Sequence, residues 1–328
     1  MSSILDDLKA RARKALACWA LSEQEPKLLK YRENAVFRVE LPNGEGAALR
    51  LHRPGYHSEA ALRSELLWMD DLRNNGLDVP RPIPAADGSL LVALDRSNEQ
   101  YADLIGWVDG QQIGESGKLL EHTADELARI YRLVGASMAE MHNISDRWSP
   151  PASFTRSAWD RQGLLGESPL WGRFWDCPGL STEDRTLLAG LRIELQQRMD
   201  ALSADLDYGL IHADLVRENV LVNGDRVALI DFDDSGYGYR LFEIATALLR
   251  NRREPHYPLI VSSLIEGYRS KRSLSDATLA NLPLFLLLRS LTYIGWAGER
   301  SELPDAGDRL ARYIRDTREL AQAVETAG

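Results

Sequence analysis

Residues 211–236 read IHADLVRENVLVNGDRVALIDFDDSG. It contains Asp214, then Asn219 five positions later, then Asp231 at the end of the apolar run VALI. The runs VLV and VALI, joined by Asn-Gly-Asp at 223–225, predict a β-hairpin, because Asn-Gly turns suit two short antiparallel strands. The sequence therefore predicts three polar side chains held by short strands.

The spacing of these residues resembles a known family of loops. His212-x-Asp214-x-x-x-x-Asn219, followed by a hydrophobic strand and Ile-Asp-Phe, is similar to the catalytic and metal-binding loops of the protein-kinase superfamily. Ala213 replaces the arginine common in protein kinases, so the stretch resembles more closely the aminoglycoside phosphotransferase and choline kinase branch. That resemblance implies ATP and Mg2+ as cofactors, Asp214 as catalytic base, and Asn219 and Asp231 as magnesium ligands.

The chemistry implied by this resemblance suits these residue types. Transfer of a phosphoryl group relies on positioning and charge neutralisation, so it needs a carboxylate for the hydroxyl proton and oxygen ligands for magnesium. His212 is expected to pack beneath the loop and not to act as the base. Asp233 is expected to join the magnesium ligands.

Asp234 leaves two interpretations open. It either faces a cationic acceptor, such as an alcohol that bears an amine, or caps the turn before Gly236. Four aromatic residues of the second half either line the acceptor pocket or, as the simpler interpretation, pack in the core: Trp171, Trp175, Tyr293 and Trp296.

The first third of the chain reads as β structure with one helix. KLLKYRE, AVFRVEL and GAALRLHR are short strand candidates, followed by SLLVAL (89–94) and YADLIGWV (101–108). The helix between them begins after Ser58 as N-cap, carries an apolar stripe, and ends at Gly76. These elements predict an antiparallel unit of five strands and one helix.

The helix of this unit carries Glu65 on its apolar stripe. Burial of an unpaired carboxylate is costly, so Glu65 needs a cationic partner. GAALRLHRP places Arg50 where kinase-like folds carry the basic residue of the third strand. The resemblance implies that Arg50 binds the α- and β-phosphates while Glu65 holds it; an ordinary surface pair is the alternative.

The remaining nucleotide contacts are expected from the same resemblance. YRENAVFRV has Glu33-Asn34 between two strands and no glycine, so backbone amides near Asn34 are expected to cover the phosphates. The adenine-binding linker is expected at 104–107, with Ile105 and Trp107 as contacts. The resemblance leaves the choice between ATP and GTP open.

From about residue 110 the pattern changes to helices. Thr123-x-x-Glu126 is a capping box that opens a helix to Met141, and further helices are predicted over 181–202, 239–251, 256–270, 276–297 and 306–326. We expect an α+β, two-lobed, protein-kinase-like fold. Residues 1–107 form the nucleotide-binding lobe, and residues 108–328 form a mainly helical lobe with the catalytic and acceptor-binding residues.

Composition narrows the partners. The 328 residues carry 39 Lys+Arg against 49 Asp+Glu, a net charge of −10, which disfavours nucleic acid. No secretory signal is recognised, and Pro283 and Arg289 interrupt the richest apolar stretch, so no membrane span is expected. Cys18 and Cys177 have no companions at ligand spacing. We expect a cytoplasmic protein; its oligomeric state cannot be read.

Several functions remain open at this level. The fold implies an ATP-dependent phosphotransferase whose acceptor is the hydroxyl of a small molecule of the aminoglycoside, amino-alcohol, homoserine or sugar type. ENAVFRVELPNGEGAALRLHRPGYHSEAALRSELLWMDDL also resembles bacterial stress-response Ser/Thr kinases, so a protein acceptor is the first alternative. A phosphatase of the haloacid-dehalogenase type and a non-catalytic ATP-binding regulator are the others.

Overall fold

The computed structural model describes residues 2–31, 34–202, 205–301 and 305–327. The chain forms two compact units. Unit 1 comprises residues 1–111, 147–156 and 221–233, and unit 2 comprises residues 112–146, 157–220 and 234–328. The functional boundary between residues 107 and 108 stays a prediction.

The α-helices of the described residues are numbered in chain order. They are α1 (Ser2–Leu16), α2 (Glu59–Asn74), α3 (Ala124–Arg147), α4 (Arg161–Leu165), α5 (Thr182–Leu202), α6 (Arg240–Leu249), α7 (Tyr257–Arg269), α8 (Asp276–Leu279), α9 (Leu282–Gly298) and α10 (Ala306–Ala327). A short 3-10 helix, Ala17–Trp19, follows α1.

The strands of the described residues are short. They are β1 (Lys27–Tyr31), β2 (Ala35–Glu40), β3 (Gly46–Leu51), β4 (Leu91–Asp95), β5 (Gln100–Gly106), β6 (Gln111–Gln112), β7 (Ala158–Trp159), β8 (Tyr208–Ile211), β9 (Val220–Asn223), β10 (Arg226–Leu229) and β11 (Gly236–Tyr239). β9 and β10 are neighbours, which confirms the predicted hairpin.

Unit 1 is built around the predicted five-stranded antiparallel sheet. Its strand order is β1-β2-β3-β5-β4, so β3 lies in the centre, between β2 and β5. The β3–β5 register sets Arg50 opposite Asp103. Apolar side chains of α1 and of β2, β3 and β5 form one core, in which Phe37, Leu49 and Leu104 are fully buried. The central position of β3 is what buries the Arg50 side chain.

Helix α2 begins and ends where its sequence predicts. The side chain of Ser58 accepts a hydrogen bond from the backbone N–H of Ala61, the usual N-cap interaction. Gly76 follows the helix with φ of +91°, a conformation that glycine adopts without steric cost. Glu65 is fully buried on the same face as Leu62 and its apolar neighbours. The sequence pattern therefore places this carboxylate correctly.

Unit 2 is mainly helical. The capping box of α3 is present, because Thr123 N–H donates to Glu126 and Glu126 N–H donates to the Thr123 hydroxyl. Helix α9 is almost entirely buried and packs against α6 and α10. The single helix predicted over 276–297 is wrong: the chain breaks between α8 and α9, and Pro283 lies in the first turn of α9. Proline is tolerated there because that turn has no use for its missing N–H.

Unit 2 also contains a sheet that the sequence did not predict. Its order is β7-β11-β8, with β11 parallel to β7 and antiparallel to β8. Gly236 in β11 lies so close to the backbone of Ser157 that an added Cβ would meet the carbonyl oxygen at 2.2 Å. The sheet therefore requires a residue without a side chain at this position.

By length and hydropathy alone, one stretch of the described residues, Asp276–Gly298, is apolar enough to cross a membrane. The sequence predicts no membrane span here, because Pro283 and Arg289 interrupt the stretch. However, 67% of its most apolar 18-residue window is buried inside the protein, as in the core helix of a globular domain, so it is weak evidence for a span.

Candidate active site

Asp214 lies in unit 2 on the loop after β8, and two side chains orient its carboxylate. Asn219 donates from Nδ2 to Oδ2 of Asp214 at 3.0 Å, and to the Asp214 carbonyl at 2.9 Å. Arg289 donates from Nη2 to Oδ1 at 2.7 Å. The Asp214 side chain remains 23% exposed, so it is held on two sides and still accessible to a ligand.

A buried carboxylate holds the loop before Asp214. Glu243 of α6 accepts the backbone N–H groups of His212 at 2.5 Å and of Ala213 at 3.0 Å. Ala213 has φ of 65°, a left-handed conformation that is uncommon for a residue with a Cβ, and the two hydrogen bonds stabilise it. His212 is fully buried, and its Nδ1 accepts a 3.3 Å hydrogen bond from the N–H of Asp214, in agreement with a structural role.

Burial is the largest influence on the pKa values of Glu243 and its neighbour His142. It raises the pKa of the Glu243 carboxyl to about 7, although the backbone N–H groups and two arginines act in the opposite direction. His142 lies 3.7 Å from Glu243, and burial lowers its pKa well below the usual value, so the imidazole is neutral near neutral pH. The loop of Asp214 is therefore supported by a carboxyl that titrates close to neutral pH.

Arg289 is enclosed by aromatic rings. Its guanidinium carbon lies 4.3 Å from the ring centre of Trp171, 4.6 Å from that of Tyr293 and 5.6 Å from that of Phe242. The side chain is fully buried, and its Nε and Nη1 make no hydrogen bond with a described residue. Cation–π contacts hold the guanidinium in place while Nη2 binds Asp214.

Asp234 lies near this aromatic cage. Its Oδ1 accepts a hydrogen bond from Trp171 Nε1 at 3.0 Å, and its carbonyl accepts one from Trp159 Nε1 at 2.9 Å. Trp171 thus touches Asp234 with its nitrogen and Arg289 with its ring. Of the four aromatic residues considered from the sequence, Trp171 and Tyr293 contact the partner of Asp214.

The other two aromatic residues contact different groups. Trp175 lies under Arg192, with 3.9 Å between the guanidinium carbon and the ring centre. Trp296 lies under Arg300 at 4.5 Å. For these two the interpretation as packing residues is sufficient.

In unit 1 the predicted pairing of Arg50 and Glu65 is present and buried. Arg50 Nη1 lies 2.7 Å from Glu65, and the two side chains are 6% and 0% exposed, so the alternative of a surface pair is wrong. Arg50 also donates through Nε and Nη2 to both oxygens of Asp103, a partner that the sequence did not reveal. His52 contacts the same carboxylate at 2.7 Å.

This cluster is electrostatically strong. Burial acts to lower the pKa of Arg50, but the charges of Asp103 and Glu65 outweigh it and raise the pKa well above its usual value. Burial acts to raise the pKa of Asp103, but Arg50 and His52 hold it below its usual range. The binding of nucleotide phosphates by Arg50 stays a prediction, since three of its nitrogens already donate to carboxylates.

The hairpin end in unit 1 carries the other two acidic residues. Asp231 has φ of 68°, its side chain is 40% exposed, and Lys30 Nζ of β1 lies 3.7 Å from its Oδ2. Asp233 is buried and accepts a hydrogen bond from Asn34 Nδ2 at 3.1 Å. Arg32 and Glu33 lie outside the described residues, so the predicted phosphate-covering turn is described only at Asn34.

The surroundings of Asp233 favour its ionised form. Burial acts to raise its pKa, but His57, 3.7 Å away, together with the charges of His52 and Arg50, holds the pKa well below its usual range. The pKa of His57 is raised in turn, because Asp233 outweighs the effect of burial. Asp233 is thus a carboxylate at neutral pH and could serve as an oxygen ligand.

The fit of these residues to a magnesium ion can be tested on their oxygens. Within unit 2, Asn219 uses its amide nitrogen on Asp214, while its Oδ1 makes no hydrogen bond with a described residue. Within unit 1, Asp231 and Asp233 supply carboxylate oxygens. Among the described residues, no three His, Cys, Asp or Glu side chains form a cluster able to hold a metal by themselves. Each of these groups, taken in its own unit, offers oxygen atoms of the kind that a hard cation takes as ligands.

The two predicted adenine contacts lie at the end of β5. Ile105 is 8% exposed, and its neighbour Gly106 pairs with Ala47 of β3. Trp107 is 36% exposed and lies under Arg38, with 4.1 Å between the guanidinium carbon and the ring centre. Their contact with adenine stays a prediction.

The predicted site residues thus form two groups. Asp214 and Asn219 are in direct contact in unit 2, while Asn34, Arg50, Glu65, Asp231 and Asp233 lie in unit 1. The sequence missed Asp103, Glu243 and Arg289. For Arg289 a signal existed, because it is a charged residue inside an otherwise apolar helix.

Comparison with known proteins finds kinases of small molecules among the relatives of this chain. The sequence pattern of the phosphotransferase enzyme family matches residues 27–276. A homoserine kinase of Agrobacterium fabrum is 31% identical over 226 residues, which cover 66% of this chain and 62% of that enzyme.

Two solved structures are similar over nearly the whole chain. A microcompartment-associated aminopropanol kinase has a TM-score of 0.83 and 31% identity, covering 97% of this chain and 98% of that one. An amicoumacin kinase in complex with AMP-PNP, Ca2+ and Ami has a TM-score of 0.77 and 23% identity, covering 96% of each chain. The α+β, kinase-like architecture expected from the sequence is confirmed, and the helices after β11 exclude the haloacid-dehalogenase interpretation.

Proposed function

Because the chain belongs to the phosphotransferase enzyme family, and so transfers phosphate to an alcohol group, we propose that its acceptor is the hydroxyl of a small alcohol that bears an amine. The observation that carries this proposal is the placement of Asp234. Its carboxylate binds Trp171, whose ring packs on Arg289, the partner of Asp214. We therefore assign the acceptor hydroxyl to Asp214 and the acceptor ammonium to Asp234.

The proposed reaction moves the γ-phosphoryl group of ATP. The acceptor oxygen forms a bond to the γ-phosphorus as the bond from that phosphorus to the β,γ-bridging oxygen breaks, and ADP leaves. Asp214 takes the proton of the acceptor hydroxyl. Asn219 and Arg289 fix the carboxylate that receives this proton. Arg289 also offsets part of the negative charge of the Asp214 carboxylate. Both contacts keep the base oriented before the acceptor arrives.

Asn219, Asp231 and Asp233 are the residues we propose to hold magnesium, which would neutralise phosphate charge. Arg50, with Glu65 and Asp103 behind it, is proposed to face the α- and β-phosphates. Asn34, Ile105 and Trp107 are the remaining proposed nucleotide contacts. The family resemblance and the AMP-PNP and Ca2+ bound to the similar amicoumacin kinase support a nucleotide with a divalent metal.

A small acceptor is favoured over a protein by the named relatives. The matched proteins carry the names homoserine kinase, aminopropanol kinase and amicoumacin kinase. Two of those names describe compact molecules with one amine and one hydroxyl. The cytoplasm, where ATP is available, is the compartment we propose for this chain.

The test is magnesium-dependent ATP consumption by purified protein against ethanolamine, aminopropanols, choline, homoserine, aminoglycosides, sugars and a generic protein substrate. Asp231→Ala is the blank. Phosphate on an amine-bearing alcohol, confirmed by phosphorus NMR, is the expected result. Phosphate found only on protein, or on sugars that lack an amine, would contradict the proposal.

A further inference from the structure

Arg250, which follows α6, differs from the buried arginines of this protein. Each of those has a carboxylate within ion-pair distance: Arg50 has Glu65 and Asp103, Arg217 has Glu254, Arg240 has Asp146, and Arg289 has Asp214. Arg250 is half-buried, and no carboxylate of a described residue lies within that distance. Partial burial of a cation without a carboxylate partner is costly.

The guanidinium of Arg250 is fixed by neutral groups. Nε donates to the Tyr293 hydroxyl at 2.9 Å, Nη1 donates to the Ser116 hydroxyl, and the guanidinium carbon lies 4.5 Å from the Tyr293 ring centre. Nη2 makes no hydrogen bond with a described residue and is not among the buried polar atoms. The group is therefore oriented in advance, with an open donor and no carboxylate of a described residue within ion-pair distance.

One tyrosine connects Arg250 to the base. The Tyr293 hydroxyl also accepts a hydrogen bond from Arg289 Nη2 at 3.2 Å, and the same nitrogen binds Asp214 at 2.7 Å. Arg250, Arg289 and Asp214 together carry an excess of one positive charge. Arg250 is thus linked to the proposed base through two successive contacts, Tyr293 and Arg289.

We propose that Arg250 is the binding site for a carboxylate of the acceptor, which makes the acceptor a hydroxy amino acid. Its hydroxyl lies at Asp214, its carboxylate on Arg250 and its ammonium at Asp234. This rests on the proposed function and narrows it from amine-bearing alcohols to those with an acid group. Arg–carboxylate pairs are charge-assisted and directional, so they select strongly against the neutral analogue.

The experiment compares alcohols that differ only in the carboxylate: homoserine with 3-aminopropan-1-ol, threonine with 1-aminopropan-2-ol, and serine with ethanolamine. For the best pair, wild-type kcat/KM is expected to favour the acid by about tenfold or more, the value of a hydrogen-bonded ion pair. In Arg250→Gln that ratio falls to about one. Arg253→Gln, at an arginine paired with Asp316 on the surface, keeps the wild-type ratio.

A variant of a residue that holds the Arg250 guanidinium guards the test against an effect of misfolding. Ser116→Ala removes one hydroxyl that holds the guanidinium and is expected to lower the ratio by a smaller factor. If the wild-type enzyme has the same kcat/KM for the amino alcohols as for the matching acids, Arg250 is not a carboxylate site. The proposed function stands in that case.

Two binding measurements separate the remaining outcomes. Calorimetry with 2-aminobutanoate and propylamine, which cannot accept phosphate, tests the subsite without turnover, so a lack of turnover on every alcohol overturns the proposed function alone. Binding of 2-aminobutanoate that is lost in Arg250→Gln supports the subsite, and equal binding by both proteins overturns it. Weaker AMP-PNP binding by Arg250→Gln with an unchanged acid preference assigns Arg250 to a nucleotide phosphate and also overturns it.

Discussion

Arg289 Nη2 lies 2.7 Å from Oδ1 of Asp214, and no part of the arginine side chain is exposed. The two residues are 75 positions apart in the chain. Aromatic rings fix the cation, so the carboxylate that binds it is restricted to one orientation. The partner of the proposed base is therefore part of the core of unit 2, and the rigidity of that core is passed to the reacting carboxylate.

Arg289→Lys tests this orientation. Lysine keeps the charge but loses the planar donor fork and the stacking on Trp171, so we expect kcat to fall about a hundredfold, with a small change in the KM for ATP. Steady-state kinetics and AMP-PNP binding provide the two measurements. Arg300→Lys, at the arginine over Trp296, is the matched control and should retain activity. A variant Arg289→Lys with wild-type kcat would remove the positioning role.

Asp214→Asn tests the base itself. Asparagine has nearly the same shape but cannot take the hydroxyl proton, so transfer is expected to fall by about two to four orders of magnitude. Calorimetric binding of AMP-PNP should be retained, because the base acts on the acceptor. Turnover at the wild-type rate would show that another group accepts the proton.

Asp103→Asn tests the buried cluster of unit 1. The change leaves Arg50 buried with one carboxylate partner, and the free energy of unfolding is expected to fall by about 3–5 kcal/mol. Glu59→Gln is the control, since Glu59 pairs with Arg63 on the surface at 26% exposure and is worth about 1 kcal/mol or less. Urea denaturation measures both. Equal losses in the two variants would mean that burial does not strengthen the Arg50 pair.

Glu243 gives the fold a pH dependence. Its pKa is raised from 4.5 to about 7, so the folded state keeps a proton that the unfolded state releases. The contribution to stability is therefore complete below about pH 4.5 and is lost as the pH rises through 7. A shift of this size corresponds to on the order of 3 kcal/mol.

Glu243→Gln isolates this contribution. Glutamine does not titrate, so the difference in unfolding free energy between wild type and variant should change across pH 4.5–7, with the wild type losing stability. The neighbouring His142 acts in the opposite direction, because its lowered pKa gives stability that is lost as the pH falls. His142 is present in both proteins, so it affects the difference only through its 3.7 Å contact with Glu243. A difference that is constant with pH would contradict the raised pKa of Glu243.

Local patterns predicted much of the fold. The Asn-Gly turn gave the β9–β10 hairpin, the Thr123 capping box gave the start of α3, and the stripe of α2 gave a buried Glu65 with Arg50 as its partner. Each of these signals lies within a few residues or follows from one periodicity. The break between α8 and α9 was missed because Pro283 can either interrupt a helix or begin one.

The supports of the site could not be predicted in the same way. Asp103 meets Arg50 through the register of β3 against β5, and Glu243 reaches the loop of Asp214 from 30 residues away. Such pairs depend on which strands become neighbours and on how helices pack, and neither can be inferred from the spacing of nearby residues. The charge of Arg289 inside an apolar helix was visible, but its partner was not.

The chain enters and leaves unit 1 repeatedly, since residues 147–156 and 221–233 belong to it as well as residues 1–111. A fragment that ends at residue 107 lacks the hairpin with Asp231, and also Arg156, whose Nη1 lies 3.8 Å from Glu65. Exchange of a nucleotide-binding half between related enzymes would thus require three separate grafts. Unit 1 is therefore not one continuous piece of chain, and residues 1–107 alone do not carry all the side chains that surround Glu65.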